Sequence, residues 1–149
     1  MPKASVKRLI ECNKKQLIDL VLDIENYPSF IPYCLDSKVY EKKEKEDMIL
    51  IIADLTIGKG PFKATYKSDV RHYKSRDVIH VTNIEGPLKH LDNKWTFLQK
   101  DNCTEISFDI DFEIKNKFLN IIMSKSFQYG FDRIADSFQK RANDLFKGK

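Results

Sequence analysis

Glu105-Ile106-Ser107-Phe108-Asp109-Ile110-Asp111-Phe112-Glu113-Ile114 decides the architecture. Bulky apolar side chains occupy every even position, and polar, mostly acidic ones every odd position. Successive side chains of a strand point to opposite faces, so the pattern predicts an antiparallel strand with one buried and one solvated face. The residues that follow change period. With Asn116 as its cap, a helix is expected over roughly Lys117 to Phe146, where Phe127, Phe131, Ile134, Ala135, Phe138, Ala142 and Leu145 recur at spacings of three and four. A helix of about 30 residues is about 45 Å long and can lie across a sheet.

Upstream, Phe62, Ala64, Tyr66, Ser68 and Val70 alternate with Lys63, Thr65, Lys67, Asp69 and Arg71 in the same manner. Further strands are expected at Ser5 to Cys12, Ser37 to Lys43, Met48 to Ile57, Asp77 to Ile84 and Leu88 to Lys100. Turns are expected at Lys42 to Asp47, Gly58-Lys59-Gly60-Pro61, Glu85-Gly86-Pro87 and Asp101-Asn102. After the first strand, Asn13 and Gln16 have capping-box spacing ahead of Leu17, Ile18, Val21 and Leu22. A second short helical segment is expected around Tyr27 to Ile31, broken at Pro32. The predicted class is α+β. A curved antiparallel sheet of six to seven strands grips a C-terminal helix, with two short helices after strand one, in a single domain over residues 1–149. One helix over so large a sheet need not fill the concave space, so a cavity between them is expected.

Composition narrows the function. The chain has 149 residues, 42% hydrophobic and 32% charged, which suits one sizeable core and no disordered chain. No apolar run approaches the roughly 20 residues of a membrane-spanning helix. The 26 basic residues mingle with 22 acidic ones for a net charge of +4, so no DNA partner is expected. Cys12, Cys34 and Cys103 are odd in number and lack a CxxC spacing. Met1 to Arg8 lacks the apolar stretch of a secretory signal, so the expected compartment is the reducing cytoplasm. His72, His80 and His90 lie in separate segments without helical metal-site spacing, and Asp109, Asp111 and Glu113 sit opposite the apolar face as solvated strand positions. Phosphate-loop, nucleophile-elbow and dinucleotide fingerprints do not occur. No catalytic residue and no metal ligand is therefore expected.

Two constellations remain. Tyr27-Pro28-Ser29-Phe30-Ile31-Pro32-Tyr33-Cys34 packs three aromatics and two prolines into eight residues. It reads either as the stiffened lip of an apolar pocket or as a core corner where short helices meet the sheet. Gly86-Pro87-Leu88-Lys89-x-Leu91-x-x-x-Trp95-x-Phe97 is a turn followed by a large apolar strand face, which reads on its own as sheet core. Together with Ala53-Asp54-Leu55-Thr56-Ile57-Gly58, Cys103-x-x-Ile106, Phe112-Glu113 and Phe138-x-x-Arg141-Ala142, these segments resemble, from Val6 to about Phe146, the coenzyme Q-binding START-domain family. That family lies within the polyketide cyclase/Bet v 1-like superfamily, and its bacterial members include the ribosome association toxin. The chain departs from the family where Tyr33 replaces a usual Trp, Leu88 a usual Phe, and Asp92-Asn93 a region often carrying glycine.

The resemblance implies a helix-grip fold with a lipid-sized hydrophobic cavity and no catalytic cofactor. It implies non-enzymatic binding of a polyprenyl quinone such as ubiquinone, in support of respiration or quinone biosynthesis, at a membrane surface or respiratory complex. The peripheral inner membrane is the implied location. The expected cavity residues are Tyr27, Pro28, Phe30, Pro32, Tyr33, Ala53, Leu55, Tyr66, Leu88, Lys89, Trp95, Phe112, Phe127 and Phe131, with Tyr33, Tyr66 and Lys89 as donors to a quinone head. The alternative within the same resemblance is binding to the large ribosomal subunit. That needs a basic face, for which Lys63, Lys67, Arg71, Lys140 and Arg141 are the candidates. A cyclase-like enzyme is the third reading, for which no acid/base pair is visible.

Overall fold

The computed structural model describes residues 3–59 and 62–146, without the side chains of residues 59, 62, 118–119 and 122–127. Seven strands, β1 (Lys3–Ile10), β2 (Cys34–Glu44), β3 (Met48–Lys59), β4 (Phe62–Tyr73), β5 (Val78–Glu85), β6 (Leu88–Gln99) and β7 (Thr104–Ile114), are joined by helices α1 (Lys14–Leu22) and α2 (Lys117–Phe146). A 3-10 helix at Ile24–Ser29 follows α1. The strands form one sheet in the order β1-β7-β6-β5-β4-β3-β2, antiparallel throughout. Every connection but one is therefore a hairpin. Only β1, which crosses through the two short helices to pair with β7, closes the sheet's far side.

The deciding strand behaves as its alternation requires. Ile106, Phe108 and Phe112 are buried, whereas Asp109 is exposed. Helix α2 covers the apolar face with Phe131, Ala135, Phe138 and Ala142, all buried. It is tied to β1 by an Arg8–Asp136 ion pair at 2.7 Å, and to the segment that follows β1 by the Cys12 thiol directed at the Ala142 carbonyl. Helix α1 starts in the expected capping box: Asn13 Oδ1 accepts from Gln16 N at 2.8 Å, and Gln16 Oε1 accepts from Asn13 N at 3.1 Å.

Local readings shift in four places. Strand β1 runs Lys3–Ile10 rather than to Cys12, because Thr104 Oγ1 takes the Cys12 carbonyl at 2.8 Å and turns the chain toward α1. The helical segment before Pro32 begins earlier, at Ile24, and admits Pro28 because so short a 3-10 segment leaves few backbone donors to lose. Gly58 and Lys59 extend β3 instead of turning, paired with Lys63 and Phe62, while the expected turn residues Gly60 and Pro61 lie outside the described residues. Strand β2 is longer than expected. It bends at two irregularities, between Cys34 and Asp36 and between Val39 and Glu41, as befits an edge strand.

Candidate functional site

The inner face of the sheet carries two apolar clusters. The larger joins α1, α2 and the centre of the sheet. Its heart is aromatic: Trp95 stacks on Phe108 with centroids 3.7 Å apart, Phe108 meets Phe131 at 4.3 Å, and Phe138 meets Trp95, Phe30 and Tyr27 edge-on at 5.1, 5.3 and 5.6 Å. Tyr27, Phe30, Trp95 and Phe131 are thus brought together as a packed corner. The Tyr27 hydroxyl donates to the Val21 carbonyl, which fixes the 3-10 segment on α1. Ala53 is fully buried in this cluster, with Leu55 packed beside it. A gap of about 20 Å³ between β1, β6, β7 and α2 has room for one water.

The smaller cluster lies toward the sheet end where β5 turns into β6 and β7 leads into α2. Leu88, Leu91 and Phe112 are buried there, with Tyr66, Val81, Ile110 and Ile114 packed around them; Val81 and Ile110 also border the larger cluster. Tyr66 is its one polar member. Burial pushes the Tyr66 phenol well above its ordinary range, and the neighbouring Cys34 adds to the shift. Cys34 is itself pushed up to about 11, chiefly by burial. Tyr27 shifts the same way, by burial and then by the proximity of Tyr66. All three groups are therefore neutral at physiological pH, which suits hydrogen bonding and disfavours proton abstraction. The Tyr66 hydroxyl makes no hydrogen bond among the described residues, although Tyr66 keeps part of its surface accessible. A neutral donor held in apolar surroundings without a partner is a place where one polar group of an otherwise apolar ligand can be recognised.

The remaining expected residues divide. Pro28 and Pro32 flank the aromatic corner, both partly buried. Tyr33 has a positive φ of 71°, and its ring lies under the guanidinium of Arg133 at 5.9 Å. Its hydroxyl accepts from Arg133 at 3.3 Å, and it packs beside Gly130 on α2. Its hydroxyl is thus engaged with the helix. Lys89 requires a correction. It is an exposed side chain on the outer face, 3.9 Å from Glu113, and cannot serve a ligand head inside. The cause is a bulge: Leu88 pairs with Ile114 but His90 pairs with Glu113, so one extra residue turns Leu88 and Leu91 inward together and leaves Lys89 outside. The side chain of Phe127 lies outside the described residues.

Sequence reasoning missed a row on the outer face. Asp92 and Asp111 are direct cross-strand partners, with His80 Nε2 at 2.5 Å from Asp92 and His90 Nε2 at 3.6 Å from Asp111. Strand register, invisible locally, assembles it. No group of His, Cys, Asp or Glu among the described residues has the arrangement to hold a metal ion. The expected basic face is partly spent: Lys67 lies 3.4 Å from Glu85 and Arg71 2.8 Å from Asp69, while Arg141 sits over the Phe30 ring at 5.3 Å. Lys63 and Lys140 remain exposed.

Residues 12–139 match the family described as polyketide cyclase/dehydrase and lipid transport. The chain belongs to that family. It is 27% identical over 143 residues to the ribosome association toxin RatA of Rickettsia prowazekii, covering 94% of this chain and 95% of that protein. It is 31% identical over 134 residues to the mitochondrial coenzyme Q-binding protein COQ10 of Dictyostelium discoideum, covering 88% of this chain and 64% of that protein. A START superfamily protein from Mycobacterium smegmatis shares the fold, with TM-score 0.79 at 14% identity over 96% of this chain and 98% of that one. The helix-grip arrangement expected from the strand pattern is the fold of this chain. No described helix is long and apolar enough to cross a membrane.

Proposed function

We propose that this chain is a non-enzymatic carrier that holds a prenyl quinone by its apolar tail between the sheet and α2, with the quinone head at Tyr66. The observation that carries this reading is the neutral Tyr66 hydroxyl, which makes no hydrogen bond among the described residues, beside Leu88, Leu91 and Phe112. A prenyl chain gains about 0.8 kcal/mol per buried methylene, so apolar contact supplies most of the affinity and one donor supplies selection. The match to a coenzyme Q-binding protein supports the ligand class. The three interior groups at this end are all driven to their neutral forms, which supports binding over acid/base turnover. Extraction of the purified chain with organic solvent, followed by mass spectrometry, tests the proposal. It predicts a prenyl quinone in the wild-type extract and a reduced amount with Tyr66→Phe.

A second reading is favoured by the near full-length match to a ribosome association toxin. Under it, Lys63 and Lys140 are the members of the expected basic face that are exposed and pair with no carboxylate among the described residues, whereas Lys67 and Arg71 face carboxylates. Salt-sensitive co-sedimentation with the large ribosomal subunit, abolished by Lys63→Glu, would select it over the carrier.

A further inference from the structure

We propose that the Tyr66 compartment selects the oxidised form of the ligand head: the chain binds a quinone more tightly than the quinol made from it, and so holds its cargo against reduction. The selection rests on the carrier reading, since it is a property of the same site. Reduction of a quinone to its quinol takes two electrons and two protons, and it turns two carbonyl acceptors into two hydroxyl donors. The polar groups at this end of the interior suit the acceptors. Tyr66 offers an O–H that makes no hydrogen bond among the described residues, and burial together with Cys34 keeps it neutral. Its neighbours are committed elsewhere. The Tyr27 hydroxyl donates to the Val21 carbonyl, and the Cys34 thiol is directed at the Asp36 carbonyl. Carbonyls of the β5–β6 turn are engaged too: Leu88 accepts from Asn83 Nδ2 at 3.2 Å, and Pro87 from Lys115 N at 2.9 Å.

A carboxylate or an imidazole beside Tyr66 would reverse the preference, by accepting from a quinol hydroxyl. Every Asp, Glu and His of the chain lies among the described residues. None of them figures among the groups that shift Tyr66, which are burial and Cys34 alone. At this end of the sheet Glu85 and Glu113 meet Lys67 and Lys89 on the outer face. His72, which shares the inner face of β4, stands six residues farther along, about 20 Å away. A bound quinone thus takes the Tyr66 proton and leaves one carbonyl short of a partner. A bound quinol brings two further O–H donors to a place where one contact can satisfy only one of them. Unpaired buried donors are tolerated less than under-satisfied carbonyls, so the quinol complex is the weaker.

Calorimetric titration of the full chain tests the selection, with a short-tailed prenyl ubiquinone as the quinone and, anaerobically, as its dithionite-reduced quinol. The quinone should bind about tenfold more tightly. By linkage, the midpoint potential of the bound couple, read in a mediated redox titration, should fall about 30 mV below that of the same couple without protein. Tyr66→Phe should narrow the preference to roughly twofold, by weakening the quinone and leaving the quinol unchanged. Lys89→Ala, on the outer face, should leave both affinities as they are. Equal affinities, tighter binding of the quinol, or a preference that survives Tyr66→Phe in full would overturn the selection and leave the carrier reading standing. Binding of neither form would overturn both.

Discussion

Gly86 lies directly on the backbone of Tyr66. Its φ is +134°, and a Cβ at this position would come within 2.8 Å of the Tyr66 Cβ and 2.9 Å of its Cα. The turn that links β5 to β6 is thus what presses Tyr66 into place, and Asn83 Nδ2, donating to the Leu88 carbonyl at 3.2 Å, closes that turn from within.

Gly86→Ala therefore meets two penalties together, a backbone conformation foreign to L-residues and a clash that no flexible side chain can relieve. The expected cost is roughly 2 kcal/mol or more in urea unfolding. Ligand loading should fall further than the stability loss explains, since Tyr66 must move.

Phe138 joins the 3-10 segment to the sheet through edge-on contacts with Tyr27, Phe30 and Trp95. Phe138→Asp would leave an unpaired carboxylate among these rings. It should cost roughly 4 kcal/mol or more, read as a large fall in the denaturation midpoint. Unchanged stability would mean that the α2 stripe is not core.

His72 is buried on β4, and neither ring nitrogen is hydrogen-bonded among the described residues. Burial lowers its pKa below the ordinary 6.5, against Asp77, Asp19 and Asp47, which favour the charged form, and with Lys74, which opposes it. The unfolded chain therefore takes up a proton first as pH falls below 6.5, and the folded state loses stability from there downward. Thermal melts across this window should show that decline in the wild type and a flatter profile in His72→Leu.

The sheet was legible because period two is a local signal. Ile106 to Ile114 alternate without a break, and Asn13 with Gln16 marks the α1 start within four residues. What could not be read depends on register. The bulge that expels Lys89 needs the pairing of β6 with β7, and the His80–Asp92 and Asp111–His90 row needs three strands in alignment. Packing density is likewise non-local. Ala53 is expected among the cavity residues, yet it is wholly enclosed, with its carbonyl accepting from Ser68 Oγ at 3.2 Å. Trp there would overpack the core rather than only narrow a passage.

A smaller side chain at Tyr66 is the cleaner probe of the central claim. Affinities for a prenyl quinone and for a prenyl hydrocarbon of the same length, lacking the quinone head, should be measured on wild type and Tyr66→Phe. The account predicts that Tyr66→Phe weakens the quinone roughly fivefold, the worth of one hydrogen bond, and leaves the hydrocarbon unchanged. Equal quinone affinity in the two proteins, or no measurable binding of either ligand to wild type, would contradict it.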